Sequence, residues 1–197
     1  MTANLQRALS DGDLPPLYAE SPIVRTAPPG QLVFPLSLYL DGVAHTRLDS
    51  TLGISCYVTT GGKRHLLAVV RRSELCSCGC KGWCTLFPVW TFLAWQLTAL
   101  ANGEHPRVRH DGTEFRESEP DRAAAAGTPL GFRCMCLLVK SDVMEYCHSM
   151  GLPGFNDAIS PCPLCFATLA DFWYNCESLS PLGNGFERKG AHNYDTS

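Results

Sequence analysis

The sequence predicts a mixed α/β domain made of three consecutive strands, a long helix and a fourth strand. Three observations indicate this order. Short apolar runs bounded by turn residues occur at residues 32–40, 52–59 and 64–70. Residues 86–100 then repeat apolar side chains at helical steps, and a fourth apolar run follows at residues 131–140. With 197 residues, of which 45% are hydrophobic, the chain can bury a core of this size.

Turn residues and composition divide the chain into three parts. Gly61, Gly62 and Lys63 separate the second and third runs as a hairpin turn would, so the first three strands are predicted to form a meander. Residues 1–32 are rich in proline and lack periodicity, so we expect an extended or disordered arm with no helix longer than residues 5–9. Residues 177–197 are expected to be a flexible tail, which leaves 33–176 as the folded domain. Shorter helices are expected at residues 119–126, 143–150 and 167–176.

Two apolar runs are each followed by an aspartate. Asp41 comes directly after the first run, with Gly42 behind it to permit a turn, and Asp142 follows the fourth run. If the two strands lie side by side, both carboxylates meet at one edge of the sheet. Paired carboxylates at that position suit a magnesium site for phosphoryl transfer. The simpler interpretation is a turn or cap, and Asp142 is well placed as a helix N-cap.

The cysteines carry the stronger chemical signal. The chain has 11 cysteines and no apolar region near its start that is typical of a secretory signal, which favours thiols or zinc ligands over disulfides. Two groups have metal-ligand spacing: Cys76, Cys78, Cys80 and Cys84; Cys162 and Cys165. The preferred zinc site combines Cys78 and Cys84 with Cys162 and Cys165. A metal ion there would hold the cysteine-rich insert, residues 73–84, against the core. The alternatives are a closed site made by the first group alone, or free thiols.

The remaining cysteines are predicted to be structural. Cys56, Cys134, Cys136 and Cys147 lie in strand or helix patterns, so we expect them to be small buried hydrophobic residues. His110 and Asp111 form a loop pair that is interpreted as a turn, with a ligand pair or general base as the alternative.

Charge excludes a strongly basic nucleic-acid binder, because the net charge is −3 and the pI is about 6.0. A local basic segment near the meander can still contact phosphates, and its cations are Arg47, Lys63, Arg64, Arg71 and Arg72. The alternative is an ordinary solvated surface. The longest apolar stretch, residues 86–101, is interrupted by Pro88, Thr91, Gln96 and Thr98, so we expect no membrane span.

Several local motifs together resemble a known family. The segment LYLDGVAHTRLDSTLG around Asp41, the sequence GLPGF after Asp142, and the C-x-x-C of Cys162 and Cys165 resemble the catalytic cores of DDE transposases of the CACTA, Plavaka and Kyakuja–Dileera–Zisupton types. The resemblance covers roughly residues 33–170. It implies a ribonuclease-H-like mixed sheet, a three-strand meander plus a parallel fourth strand, with helices and a cysteine-rich zinc-binding insert.

The resemblance also implies a chemistry. Asp41 and Asp142 would hold Mg²⁺ and cut or join DNA phosphodiesters, together with a third acid on a later helix. Asp171 and Glu177 are the acids on or near such a helix, but no motif marks either of them, so the core is expected to be truncated or inactive. DNA is the implied partner and the nucleus the implied location; we expect no small-molecule substrate.

Three functional hypotheses therefore stand. One is a transposase-derived, Mg²⁺-dependent nuclease core. The second is a non-catalytic, zinc-containing domain that binds nucleic acid or protein. The third is a ubiquitin- or chromatin-linked zinc module unrelated to transposition, which would show a self-contained four-cysteine site within residues 76–84.

Overall fold

The computed structural model of the protein describes residues 1–44, 46–47, 49–152, 154 and 157–159. The chain divides into two compact units, Met1–Ser141 and Asp142–Ser197. The first unit contains a four-stranded sheet in the order β3-β2-β1-β4. Its strands are β1 (Val33–Ala44), β2 (Ser50–Val58), β3 (His65–Arg71) and β4 (Arg133–Lys140).

The sheet confirms the predicted strand order. β1, β2 and β3 form an antiparallel meander, and β4 lies parallel to β1 on its other side. A parallel neighbour needs a crossover connection, and residues 72–132 supply it through the long helix α4 (Trp83–Asn102). The protein is therefore a mixed α/β fold with three antiparallel strands and one parallel strand.

α4 packs one face of the sheet. Its Leu86 and Leu93, each 2% exposed, meet Leu40, Leu52 and Ile54 of the two central strands. Leu52 and Ile54 follow the alternation of a strand, and Leu86 and Leu93 lie two turns apart on one side of the helix. Gly103 ends the helix in the left-handed conformation at φ 73°, and its N–H donates to the Ala99 carbonyl.

The N-terminal residues are helical, so the expected extended or disordered arm over residues 1–32 is wrong. The segment forms α1 (Thr2–Asp11), α2 (Pro16–Glu20) and α3 (Pro22–Arg25). Proline is favoured at the first position of a helix, and the prolines that open α2 and α3 sit there instead of marking a linker. Leu5 is fully buried beside Phe34 and Leu36, and the Tyr18 hydroxyl donates to the Val33 carbonyl at 2.7 Å.

Two short helices complete the described elements. α5 (Pro120–Ala125) lies within the expected range, and α6 (Val143–Ser149) begins the second unit. Asp142 is the N-cap of α6, and one of its carboxylate oxygens accepts from the Glu145 N–H at 2.7 Å. The expected helix at 167–176 and the tail at 177–197 lie outside the described residues.

α4 is also long and apolar enough to cross a membrane by length and composition. Only a small share of this apolar segment is buried. We expected the polar interruptions to exclude a membrane span. On length and composition alone they do not exclude one. Leu86 and Leu93 pack against the sheet, while the other residues of the helix are partly or fully exposed.

A cavity-forming substitution tests this core. Ile54 is 0% exposed, so Ile54→Ala removes buried methyl groups and leaves a void; we expect it to lower the free energy of unfolding by about 2–5 kcal/mol. The measurement is urea denaturation followed by circular dichroism. Leu66→Ala is the matched control, because Leu66 is 67% exposed on β3 and its loss should change stability by less than about 0.5 kcal/mol. Equal losses for both variants would contradict the placement of the core.

Candidate metal centre

Four cysteines converge between β3 and α4. Cys76, Cys78 and Cys80 lie in the loop that follows a 3-10 turn at Arg72–Glu74, and Cys84 is the second residue of α4. Their four Sγ atoms all lie within 4.8 Å of one another. We call this group the four-cysteine cluster. The cluster can hold a metal ion such as zinc.

The distances within the cluster suit a tetrahedral ion. A zinc ion with Zn–S bonds of about 2.3 Å separates its sulfur ligands by about 3.8 Å. The Sγ atoms of Cys78 and Cys84 are 3.8 Å apart, while Cys76 lies 3.0 Å from Cys78 and 3.2 Å from Cys80. Small side-chain adjustments would bring the shorter pairs to the separation that a bound ion needs.

The backbone between the ligands is tightly turned. Lys81 adopts a left-handed conformation at φ 53°, and in the described part of the chain no other residue except glycine has a positive φ. Gly82 follows at φ 85°, and a Cβ atom there would lie 3.0 Å from Leu75 Cδ1. Only a glycine fits both the conformation and the close approach. The turn brings Cys80 back against the start of α4.

Hydrogen bonds fix the loop on the helix. The Cys84 N–H donates to Cys80 Sγ at 3.3 Å, and the Cys76 N–H donates to Thr85 Oγ1 at 3.0 Å. N–H groups at the start of a helix stabilise negative charge, including thiolate. The first turn of α4 therefore both positions two cysteines and favours the ionised form of one.

The four thiols do not ionise equally. The hydrogen bond from the Cys84 N–H, with further ones from the Cys76 and Cys78 thiols, lowers the pKa of Cys80 to about 6. Donation of the Cys84 thiol to Cys80 raises the pKa of Cys84 to about 12, and the Cys78 contact raises the pKa of Cys76. Of Cys76, Cys80 and Cys84, Cys80 is therefore the thiol that ionises most readily.

The predicted zinc ligands separate into two groups. Cys78 and Cys84 belong to the four-cysteine cluster, whereas Cys162 and Cys165 lie outside the described residues, so the preferred mixed site stays a prediction. In the described part, the partners of Cys78 and Cys84 are Cys76 and Cys80. This is the closed arrangement that the sequence left as an alternative, and the spacing C-x-C-x-C-x-x-x-C was its signal.

The other cysteines differ in burial. Cys134 is buried, and burial raises its pKa to about 11, as expected for a small hydrophobic residue. Cys56 and Cys147 are half-buried. Cys136 is exposed, so its predicted burial is wrong. It pairs with Leu36 of β1, and the pairing of β1 with β4 shifts register immediately after this pair.

Asp41 lies in a different local setting from the predicted one, whereas Asp142 caps α6 as the sequence predicted. β1 does not stop before Asp41 but continues to Ala44, and Asp41 pairs with Gly53 of β2. The predicted turn at Gly42 is wrong, because the hairpin pairing with β2 carries the strand past it. Asp142 begins the second unit as a helix cap. The pairing of these two carboxylates stays a prediction, and magnesium has no support from this geometry.

His110 and Asp111 form the turn that the sequence favoured. The Asp111 carboxylate accepts from the Thr113 N–H at 3.0 Å and from its hydroxyl at 2.6 Å, and it pairs with Arg109 at 3.1 Å. The His110 ring packs edge-on against Phe92, 5.4 Å between centroids.

The predicted phosphate-binding cations do not act as one group. Arg71 pairs with Asp49 at 3.0 Å, and the Ser73 N–H and hydroxyl donate to the same carboxylate. Donation by the Ser73 hydroxyl is the main cause that lowers the pKa of Asp49. Arg64 instead stacks on Tyr39, and Arg47 and Lys63 are exposed. Arg72 lies in the 3-10 turn before the cysteine loop.

A cavity of about 530 Å³ lies beside the second half of α4. This volume is within the range of small-molecule sites. Its walls are mostly apolar, as those of small-molecule sites are. The expected lack of a small-molecule substrate is not tested by this cavity and stays a prediction. The lining includes Trp95, Leu100, His105, Phe115, Asp121 and Arg122.

The chain matches no protein-family model, no curated protein and no solved structure.

Acid should weaken metal binding at the four-cysteine cluster. Zinc requires thiolates, and Cys76 and Cys84, whose pKa values are raised, must each release a proton on binding. We expect the apparent zinc affinity to fall at least about a hundredfold between pH 8 and pH 7, measured by competition with a coloured chelator. An affinity that stays constant between pH 8 and pH 7 would contradict thiolate ligation.

Proposed function

We propose that this chain is a zinc-stabilised α/β domain that binds nucleic acid or protein, and that the metal has a structural role. What supports this is a single observation: four cysteine sulfurs lie within 4.8 Å of one another in the described residues. Four thiolates fill the tetrahedral positions of zinc and leave none open for water or substrate. A closed site of this kind contributes to folding and not to catalysis.

The place of the cluster explains what the metal would stabilise. The loop of residues 75–82 joins the edge strand β3, through the 3-10 turn, to α4, which forms the core with the sheet. A zinc ion bound to three loop cysteines and to Cys84 would tie this loop to the first turn of α4. Two of the ligands, Cys78 and Cys84, are exposed, so the ion would lie at the surface of the unit.

Metal analysis tests the proposal. We expect one zinc ion per purified chain, and we expect Cys78→Ser and Cys84→Ser each to lose most of it, because a serine hydroxyl is a poor zinc ligand. The measurement is elemental analysis together with the thiolate absorption of the Co²⁺-substituted protein. Cys136→Ser is the matched control, since Cys136 is exposed but lies outside the cluster.

The double variant Cys162→Ser/Cys165→Ser separates the two arrangements of ligands. Retained zinc supports the closed cluster of residues 76–84. Loss of zinc in the double variant, with retention in Cys76→Ser and Cys80→Ser, would instead support the mixed site. A purified chain without metal would overturn the proposal.

A second candidate is a ribonuclease-H-like core with Mg²⁺-dependent DNA strand cleavage. One observation favours it: β1, which carries Asp41, lies parallel to β4, and Tyr39 of β1 is opposite Lys140, two residues before Asp142. This strand arrangement is the one that the resemblance to DDE transposases implies. On this proposal Asp41 and Asp142 hold the metal ions, DNA is the substrate, and the nucleus is the location.

Nicking of supercoiled DNA tests this candidate. We expect a Mg²⁺-dependent activity to fall at least a hundredfold in Asp41→Asn and Asp142→Asn, because metal-bound carboxylates are lost. Asp111→Asn is the control, since that carboxylate serves a turn. Equal nicking by all three variants and the parent chain would show a contaminant and would end this candidate.

A further inference from the structure

One face of the sheet brings aromatic and cationic side chains together. Tyr39 of β1 pairs with Lys140 of β4, and Ser37 of β1 pairs with Tyr57 of β2. Residues two apart on a strand share a face, so Tyr39, Tyr57 and Lys140 lie on the same side of three adjacent strands. Leu36 and Leu40 point to the opposite side, toward α4. The surface therefore lies on the face that α4 does not cover.

Two cations rest on these rings. The Arg64 guanidinium carbon lies 4.5 Å from the centroid of the Tyr39 ring and 5.8 Å from that of Tyr57. The Lys140 Nζ lies 5.7 Å from the Tyr57 centroid. These four residues form what we call the aromatic–cation patch. Its rings hold both cations close enough for one extended polyanion to contact them together.

Within the described residues, no acid neutralises the charges of the patch. Other arginines of the first unit pair with acids, as Arg71 does with Asp49 and Arg122 with Glu119. No described carboxylate forms an ion pair with Arg64 or Lys140, and both side chains are exposed. Lys63, also exposed, precedes Arg64. Asp41, the next residue of β1 on this face, is the nearby acid, and it pairs with neither cation.

The chemistry of the patch selects an anion with flat groups. A guanidinium that lies against a ring keeps its N–H edges free to donate to phosphate oxygens, and an ammonium adds a second point charge. The planar guanidinium of Arg64, supported from below by the Tyr39 ring, offers its outer side for stacking to bases that are not already stacked in a duplex. We infer that the aromatic–cation patch is a binding site for single-stranded nucleic acid. The inference deepens the proposed binding function by naming its partner, and it depends on no metal ion.

Salt dependence provides the sharpest test. Each phosphate contact to a single strand contributes about 0.7 to the slope of log affinity against log salt. With a fluorescein-labelled oligothymidylate and the full chain, we expect Arg64→Ala and Lys140→Ala each to weaken binding roughly tenfold and to reduce that slope by about 0.7. The measurement is fluorescence anisotropy over a series of salt concentrations.

Matched variants separate the patch from general charge. Arg107→Ala removes a surface arginine that pairs with Glu104 at 3.1 Å elsewhere in the unit, and it should leave affinity and slope unchanged. Tyr57→Phe keeps the ring and should bind nearly as well as the parent chain, whereas Tyr57→Leu should bind several-fold more weakly. Arg64→Gln, which keeps the length of the stem, repeats the test if Arg64→Ala does not fold.

Zinc content of the same samples distinguishes the two proposals. If Arg64→Ala and Lys140→Ala lose oligonucleotide binding but retain zinc, the result supports the patch. If the parent chain binds the oligonucleotide but contains no zinc, only the metal-centre proposal is overturned. The inference is overturned if the parent chain does not bind the oligonucleotide, if both charge variants keep the parent slope, or if a duplex of equal length binds as tightly as the single strand.

Discussion

The rest of the first unit depends on β1, which is hydrogen-bonded to a neighbouring strand along both of its edges. β2 pairs with it in antiparallel register from Leu36 to Ala44, and β4 pairs in parallel from Val33 to Tyr39. Both of its faces are also packed, with α4 on one side and Tyr18 of α2 on the other. A strand enclosed in this way must be apolar on both faces, which explains the nearly continuous burial from Val33 to Leu38.

The same strand also carries two residues that enter the proposals about binding and catalysis. Along its exposed half, Tyr39 and Asp41 lie on the face away from α4, while Leu40 joins the core between them. Alternation thus separates the stabilising residues from those available for binding or catalysis, one position apart. A register shift of one residue would exchange the two sets, so pairing on both edges of β1 is what keeps the surface chemistry in place.

Most of the fold could be predicted from the sequence, because apolar periodicity is local. The four strands, α4 and its end at Gly103 are all signalled within short windows. The N-terminal helices were missed because proline is ambiguous: Pro16 and Pro22 begin helices, yet the same residue type marks linkers. The continuation of β1 past Asp41 was missed because it depends on pairing with β2, which a pattern within one strand does not reveal.

The candidate sites divide in the same way. The four-cysteine cluster is local in sequence, so its spacing was enough to predict a metal site. Spacing alone could not decide between the closed site and the mixed site with Cys162 and Cys165. The aromatic–cation patch combines Tyr39, Tyr57 and Lys140 from three strands with Arg64 from the segment before β3. Only the register brings them together. Arg64 was identified as a cation, but its tyrosine partners carried no signal of their own.

The position of β3 has one more consequence. Among the described strands, its single neighbour is β2, so one row of its backbone N–H and C=O groups faces away from the sheet. Leu66 and Val69 are 67% and 54% exposed on this strand, which makes its open edge a template on which another extended segment can pair. Lys63 and Arg64 precede β3, and Arg71 ends it. Asp49 pairs with Arg71, so the charges that oppose edge-to-edge aggregation of two copies are those of Lys63 and Arg64.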